Sequence, residues 1–399
     1  MQRISGVDVA RGLAVLGMFT AHLAPGAAGD PWPRGAVQVA DGRSAAAFVV
    51  LAGLSVALLS GGARPVDGVR RVQARLRVLV RGVLLVALGV VLVALGTPVA
   101  VILPAYGVYF AVAIGFLGWS ARALLAAAAV VAVVGPPVTF RVGDWLVEHE
   151  KATALTNLVV GHYYPAGIWT AYVLAGLAVG RLDLTAAHVR RALLLGGTGV
   201  ALLAHLASAV LMRLVPGARP EVGPGRYLTT EPHAGTTFEV VANTGVAVAG
   251  LAVCLVVADR WPRLTNPLAA TGALALTAYT VHVAVIAALG DDVVWEPTDR
   301  VWLTFLAVTV VACTLWRATL GRGPFERLLH AVSTRASDLG ADSPVRRASD
   351  GDRTSPRAGG LPSTTAAGPP SGAPRTTSDA AHPGDAAAPL SARGRAPGG

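Results

Sequence analysis

Long apolar runs recur along residues 7 to 316, each of 17 or more residues, and no other feature of the chain restricts its fold so tightly. As a helix, a run of that length rises about 25 Å or more, close to the roughly 30 Å hydrocarbon core of a bilayer. Over the whole chain 53% of residues are hydrophobic and only 14% charged, well below the roughly 25% charged residues of soluble domains. The fold class that follows is all-α: a polytopic membrane bundle of about ten transmembrane helices, with lipid as its surroundings. The expected spans are 7 to 24, 43 to 60, 78 to 96, 99 to 118, 121 to 138, 163 to 180, 192 to 212, 238 to 258, 267 to 289 and 300 to 316. Together they make one membrane domain over residues 1 to 330.

The formal net charge of +10 does not point to nucleic acid, because the arginines sit mainly in short loops between apolar runs and there report topology. Arg64, Arg70, Arg71, Arg75, Arg77 and Arg81 form the strongest cluster, which faces the cytoplasm by the positive-inside rule. Alternate loops carry Arg122, Arg181, Arg190, Arg191, Arg260 and Arg263, whereas acids such as Asp41, Asp144, Glu231 and Asp292 collect on the other side. An even number of spans then places both termini in the cytoplasm of a cell that carries the protein in its plasma membrane. Asp8, Arg11 and His22 interrupt or flank the first run, which reads as a retained helix rather than a signal peptide. Residues 331 to 399 are rich in Ala, Gly, Pro, Ser, Thr and Arg. Such a segment buries too little surface to offset its ordering entropy and is expected to be a disordered cytoplasmic tail. Cys254 and Cys313 both lie in apolar runs, so neither a disulfide framework nor a cysteine metal site is expected.

Ionisable groups inside a bilayer are costly and mark functional candidates. Asp8, Arg11, Val15, Met18 and His22 are spaced by three, four, three and four and share one helix face. Arg11 and His22 are eleven residues apart, about 16 Å of helix rise. A ligand with an anionic head at the cytoplasmic side and a long thin arm, such as acyl-coenzyme A, can span that distance. Two plainer readings stand beside it: an i,i+3 ion pair of Asp8 with Arg11, and an interfacial His22.

The stretch from Arg3 through Asp8, Arg11 and Gly12 to His22 resembles the opening of the transmembrane acyltransferase superfamily, whose arginine, ten residues, histidine pattern is matched by Arg11 and His22. Ala46 to Ser55, Trp169 to Arg181 and Gly323 to Arg327 are similar to the branch of heparan-α-glucosaminide N-acetyltransferases and their bacterial relatives, while Leu276 to His282 resembles a late-helix motif that this branch shares with acyltransferase-3 proteins. The resemblance implies an integral membrane enzyme that moves an acetyl group from cytoplasmic acetyl-coenzyme A to an amine or hydroxyl of an extracytoplasmic glycan, with no metal. It also implies His22 as general base or transient acyl carrier, and Asp41, at the external start of the second helix, is expected to orient it. One departure is plain: Asp30-Pro31-Trp32-Pro33 stands where the human-type enzyme has a loop histidine.

Arg11, Arg77 and Arg81 are the expected holders of the coenzyme A phosphates, since arginines at a cytoplasmic helix start offer charge-assisted hydrogen bonds; simple positive-inside anchoring is the plainer reading. On the other side Glu239 and Asn243, four residues apart, with His233 and His162 in the preceding loops, are expected to bind the acceptor, and Glu239 or His233 is also available as a base. Gly12, Gly17, Gly245 and Gly250 are expected at close helix crossings. No phosphate-binding glycine loop, His-Glu-x-x-His or Gly-x-Ser-x-Gly motif occurs. A small-solute transporter, using the same polar groups as a binding site, and a non-catalytic membrane scaffold are the alternatives.

Overall fold

A computed structural model describes residues 4–26, 30–32, 34–220 and 223–338. The tail expected from residue 331 lies largely outside the described residues, as do Arg3 and Pro33. Among the described residues the chain is helical throughout. The helices are α1 (Ser5–Leu23), α2 (Arg34–Val37), α3 (Arg43–Leu59), α4 (Gly68–Val93), α5 (Leu103–Gly115), α6 (Ala121–Glu148), α7 (Ala154–Val160) and α8 (Ala166–Val179). They continue with α9 (Ala187–Leu214), α10 (Thr237–Arg260), α11 (Pro262–Ala273), α12 (Ala275–Leu289), α13 (Asp292–Trp295), α14 (Asp299–Thr319) and α15 (Pro324–Ala336).

Among the described residues six helices are long and apolar enough to cross a membrane, seven if the bent pair α11–α12 counts as one span. The expected number of about ten is not confirmed, although a helix lies at every expected position. Two of the shortfalls are α5 and α8, with 13 and 14 residues, about 20 Å of rise each. Nearly every residue of α8 is buried, so its apolar character serves packing inside the protein. Hydropathy alone does not separate that case from contact with lipid. Around this interior, α4, α6, α9 and α14 turn Val83, Val90, Leu125, Val130, Leu202, Leu203, Val308 and Leu315 outward, each more than half exposed. Such continuous apolar surface is stable against hydrocarbon and not against water.

Several helices outrun their expected bounds. The α4 helix begins at Gly68, capped by Asp67, which accepts from the backbone N–H of Gly68, so every arginine of the cluster except Arg64 is helical. The α6 helix passes through Pro136 and Pro137 to Glu148, although a proline pair ordinarily ends a helix by removing donors. The C-terminal α15 continues to Ala336, past the boundary expected at 330.

Glycines set the close crossings. A Cβ on Gly12 would meet the backbone of Leu268, and one on Gly272 the backbone carbonyl of Asp8, which locks α1 against α11. Gly53 and Gly176 do the same for α3 and α8, and Gly197 and Gly245 for α9 and α10. Gly17 would meet the side chain of Ser44, whereas Gly250 faces open space and serves no crossing. Where α3 and α8 end, the buried guanidinium of Arg181 donates to the carbonyls of Ala57 (3.2 Å), Gly62 (2.8 Å) and Leu117 (2.5 Å) and to Ser60 Oγ (2.9 Å). One side chain thus satisfies carbonyls left over at the end of α3 and beyond α5.

Candidate functional site

The polar groups of the first helix divide between two cavities. At its start, Arg11 donates to Asp8 Oδ1 at 2.8 Å and to Ser55 Oγ at 3.1 Å, so the i,i+3 pair exists and is tied to α3. Arg11, Ser55, Arg81, Tyr106 and Glu326 line a cavity of about 180 Å³. The α4 arginines are drawn to the C-terminal helix: Arg77 Nε donates to Ser337 Oγ at 2.8 Å and Arg81 Nε to Ser333 Oγ at 3.2 Å. Arg77 and Arg322 lie within electrostatic reach of Arg81, and His330 within reach of all three. Among the described residues no ion pair involves Arg77, Arg81 or Arg322. Converging cations without a carboxylate partner fit an anionic phosphate.

Glu326 has a different task. Its Oε1 accepts from the backbone N–H of Leu276 (2.8 Å) and Thr277 (3.0 Å), and its Oε2 from Thr277 Oγ1 (2.6 Å). The 67° break between α11 and α12 frees those N–H groups, and a carboxylate at a helix N-terminus compensates both the donors and the dipole.

Three turns on, His22 opens into a second cavity of about 410 Å³, shared with Met18, Asp41, Tyr163, Tyr164 and His233. Along α1 the two cavities are separated by Val15, Met18 and Phe19, all buried. Asp41 pairs with His233, Nε2 to Oδ1 at 3.4 Å, rather than making the expected direct contact with His22. The segment before α10 is built to present His233. Its backbone takes φ +59°, which costs a non-glycine residue roughly 1–2 kcal/mol. Its N–H and that of Gly235 donate to the Glu239 carboxylate at 2.9 and 2.6 Å, while Thr236 caps α10 through the Glu239 N–H at 3.0 Å. The imidazole lies parallel to Trp169 at 6.3 Å and meets Tyr163 and Tyr164 edge-on at 5.7 and 5.8 Å. Burial opposes the imidazolium, but the hydrogen bond and charge of Asp41, with the charge of Glu239, more than offset it and raise the His233 pKa above its ordinary value.

Glu239 and Asn243 are both buried, and Asn243 bonds Glu239 Oε1 (3.3 Å) and the Tyr172 hydroxyl (3.4 Å). Their polar atoms are spent on the loop and on α8. His233 also borders a cleft of about 600 Å³ with His162, Asn157, Asp144, Arg226 and Glu231. There Arg226 grips Asp144 through two bonds, at 2.9 and 3.1 Å. His233 is thus common to both cavities. Sequence reading placed it among the acceptor-binding residues; its conjunction with Asp41, 192 residues away, leaves no local signal.

Residues 3–210 match the sequence family described as heparan-alpha-glucosaminide N-acetyltransferase, catalytic, which covers more than half of the chain. The chain belongs to this family. Residues 198–336 match a second family, described only as a protein of unknown function, DUF418. No curated protein matches the chain. The catalytic-family match includes Arg11, His22, Asp41, Arg77, Arg81 and His162, while His233, Glu239, Asn243, His282 and Glu326 fall in the second. Membrane acetyltransferase character follows from the first family, and the His233–Asp41 pair joins the two matched regions.

Proposed function

We propose that the protein transfers an acyl group, acetyl by the description of its family, from cytoplasmic acyl-coenzyme A to an amine or hydroxyl of an extracytoplasmic glycan. The observation that carries this reading is the position of His233, paired with Asp41 and shared by the His22 cavity and the outer cleft. Arg77, Arg81 and Arg322 hold the donor phosphates, and Arg11 stands where the arm enters beside α1. The arm passes along the Arg11 to His22 face and displaces the Met18 and Phe19 side chains that close it. The acceptor occupies the cleft with His162, Asn157 and Glu231 around it.

In the transfer step the acceptor nitrogen or oxygen attacks the thioester carbonyl as His233 takes its proton. Asp41 holds the resulting imidazolium, as a carboxylate does for a catalytic histidine elsewhere. The carbon–sulfur bond breaks as the new bond to the acceptor forms, and the thiolate leaves as a thiol with the proton that the His233 imidazolium gives up, which restores the neutral base. His22, whose Nδ1 has no hydrogen-bond partner among the described residues, supplies a hydrogen bond to the carbonyl oxygen or carries the acyl group in transit. The start of α1 and the helix α15 both border the Arg11 cavity, which supports an orientation with both termini on the cytoplasmic side of the cell membrane.

The broken span α11–α12 favours solute transport. Its freed donors are already occupied by Glu326, however, and are not presented to a solute. The decisive experiment follows thermal stability of the purified protein with acetyl-coenzyme A, beside an Arg77→Ala, Arg81→Ala variant, together with acetyl transfer to glucosamine. A saturable stabilisation lost in the variant, with transfer lost in His233→Gln, is the expected result. Solute flux in liposomes without coenzyme A, and no stabilisation at millimolar donor, would replace this reading with transport.

A further inference from the structure

A further cavity, of about 490 Å³, lies between α12 and α14. Its walls are Ala278, Val281 and Val285 from α12 and Phe305, Val308 and Ala312 from α14. Val281 and Val308 are half or more exposed on the lipid-facing surface, so the cavity opens towards hydrocarbon. The imidazole of His282 also lines it, beside the hydroxyls of Thr277, Thr304 and Thr309. His282 is 2% exposed, and its Nε2 has no hydrogen-bond partner among the described residues. The same ring stacks on Phe19 at 4.0 Å and on His22 at 5.2 Å, and meets Phe305 edge-on at 6.0 Å. His282 is therefore the partition between the lateral cavity and the cavity in which acyl transfer is placed.

An acetyl group needs no such annex. An apolar volume next to the transfer site, walled by aliphatic side chains, suits a hydrocarbon chain whose carbonyl end lies at the histidines. A buried imidazole nitrogen without a partner is costly, and in the tautomer that carries its proton on Nε2 the ring would donate to a carbonyl oxygen at the chain's end. Resting on the acyl-transfer reading, we propose that the lateral cavity takes the alkyl chain of the donor, so that a medium- or long-chain acyl group is transferred in preference to acetyl. The thioester carbonyl then lies between His22 and His282, the chain runs outward between α12 and α14, and the bond changes at the carbonyl are those of the acetyl case. Each methylene moved from water into an apolar site gains about fourfold in affinity, so an eight-carbon chain has ample leverage over acetyl.

The test compares kcat/KM for acetyl-, butyryl-, octanoyl-, lauroyl- and palmitoyl-coenzyme A with glucosamine as acceptor. It uses the full-length protein in detergent, Ala312→Phe, which fills the cavity from α14, and Leu315→Phe, which alters the lipid-facing side of the same helix. Octanoyl or a longer donor is expected to exceed acetyl by at least about tenfold. The octanoyl-to-acetyl ratio is expected to drop about tenfold in Ala312→Phe and to hold in Leu315→Phe. Should acetyl be the best donor, with a ratio indifferent to Ala312→Phe, the cavity holds only bystander lipid and the inference is overturned. Transfer from no donor of any length would overturn the acyl-transfer reading and this inference together.

Discussion

Replacing His233 by asparagine separates its chemical from its structural contribution. Asparagine tolerates the left-handed backbone that His233 adopts, so the substitution adds little strain and leaves the backbone bonds to Glu239 in place. What disappears is the ring. The two edge contacts to Tyr163 and Tyr164 contribute about 0.5–1.5 kcal/mol each, and the parallel contact with Trp169 at 6.3 Å is too long to add much. With about 0–1 kcal/mol more from the lost pair with half-exposed Asp41, the expected loss of stability is about 1–4 kcal/mol, too little to unfold a protein with about 5–15 kcal/mol in hand. Loss of a positioned base lowers turnover by roughly 10²–10⁴-fold, which is about 3–5 kcal/mol on the barrier. Thermal unfolding and single-substrate kinetics on the same detergent preparation give both numbers. A turnover within threefold of the parent, alongside the expected fall in stability, would show that His233 only shapes the loop.

Asp41→Asn removes the carboxylate that raises the His233 pKa. The base acts when neutral, so activity falls on the acid side as pH drops through that pKa; in the variant this limb should move to lower pH while the plateau rate also falls, as a pH profile of kcat/KM will show. Arg181→Met leaves the buried carbonyls of Gly62 and Leu117 without their shortest partners and should lower unfolding stability by about 2–6 kcal/mol. Gly272→Ala forces a methyl against the backbone carbonyl of Asp8, which cannot turn aside. A loss of about 1–3 kcal/mol is expected with weaker acyl-coenzyme A binding, since Arg11 lies within 3.5 Å of the Gly272 carbonyl; unchanged binding by titration would separate Arg11 from the donor site.

Much of this architecture was legible in the chain because a helix converts spacing directly into geometry. The Asp8, Arg11 and His22 stripe is of that kind, and its Asp8–Arg11 pair is present at 2.8 Å. Hydropathy located a helix at every apolar run, but only six or seven spans among the described residues are long and apolar enough to cross a membrane, α8 being short and buried. Glu239 and Asn243 do share a face and a hydrogen bond, yet the sequence carried no sign that loop backbone would consume the carboxylate. The Asp41–His233 pair was hidden for a different reason. It depends on how two loops fold over the bundle, and neither loop has a periodic pattern to read.

Glu326 also dictates an order of assembly. The backbone donors exposed at the break before α12 are met by a carboxylate about fifty residues further along the chain. As the chain emerges during synthesis, the start of α12 therefore enters the bundle before its partner exists, and must stay hydrated or be sheltered until α14 has been made and α15 can fold back. Completion of the last broken span is thus deferred to the very end of the described chain. A ribosome that stops short of Pro324 would leave a helix start in the bundle with nothing to receive its N–H groups.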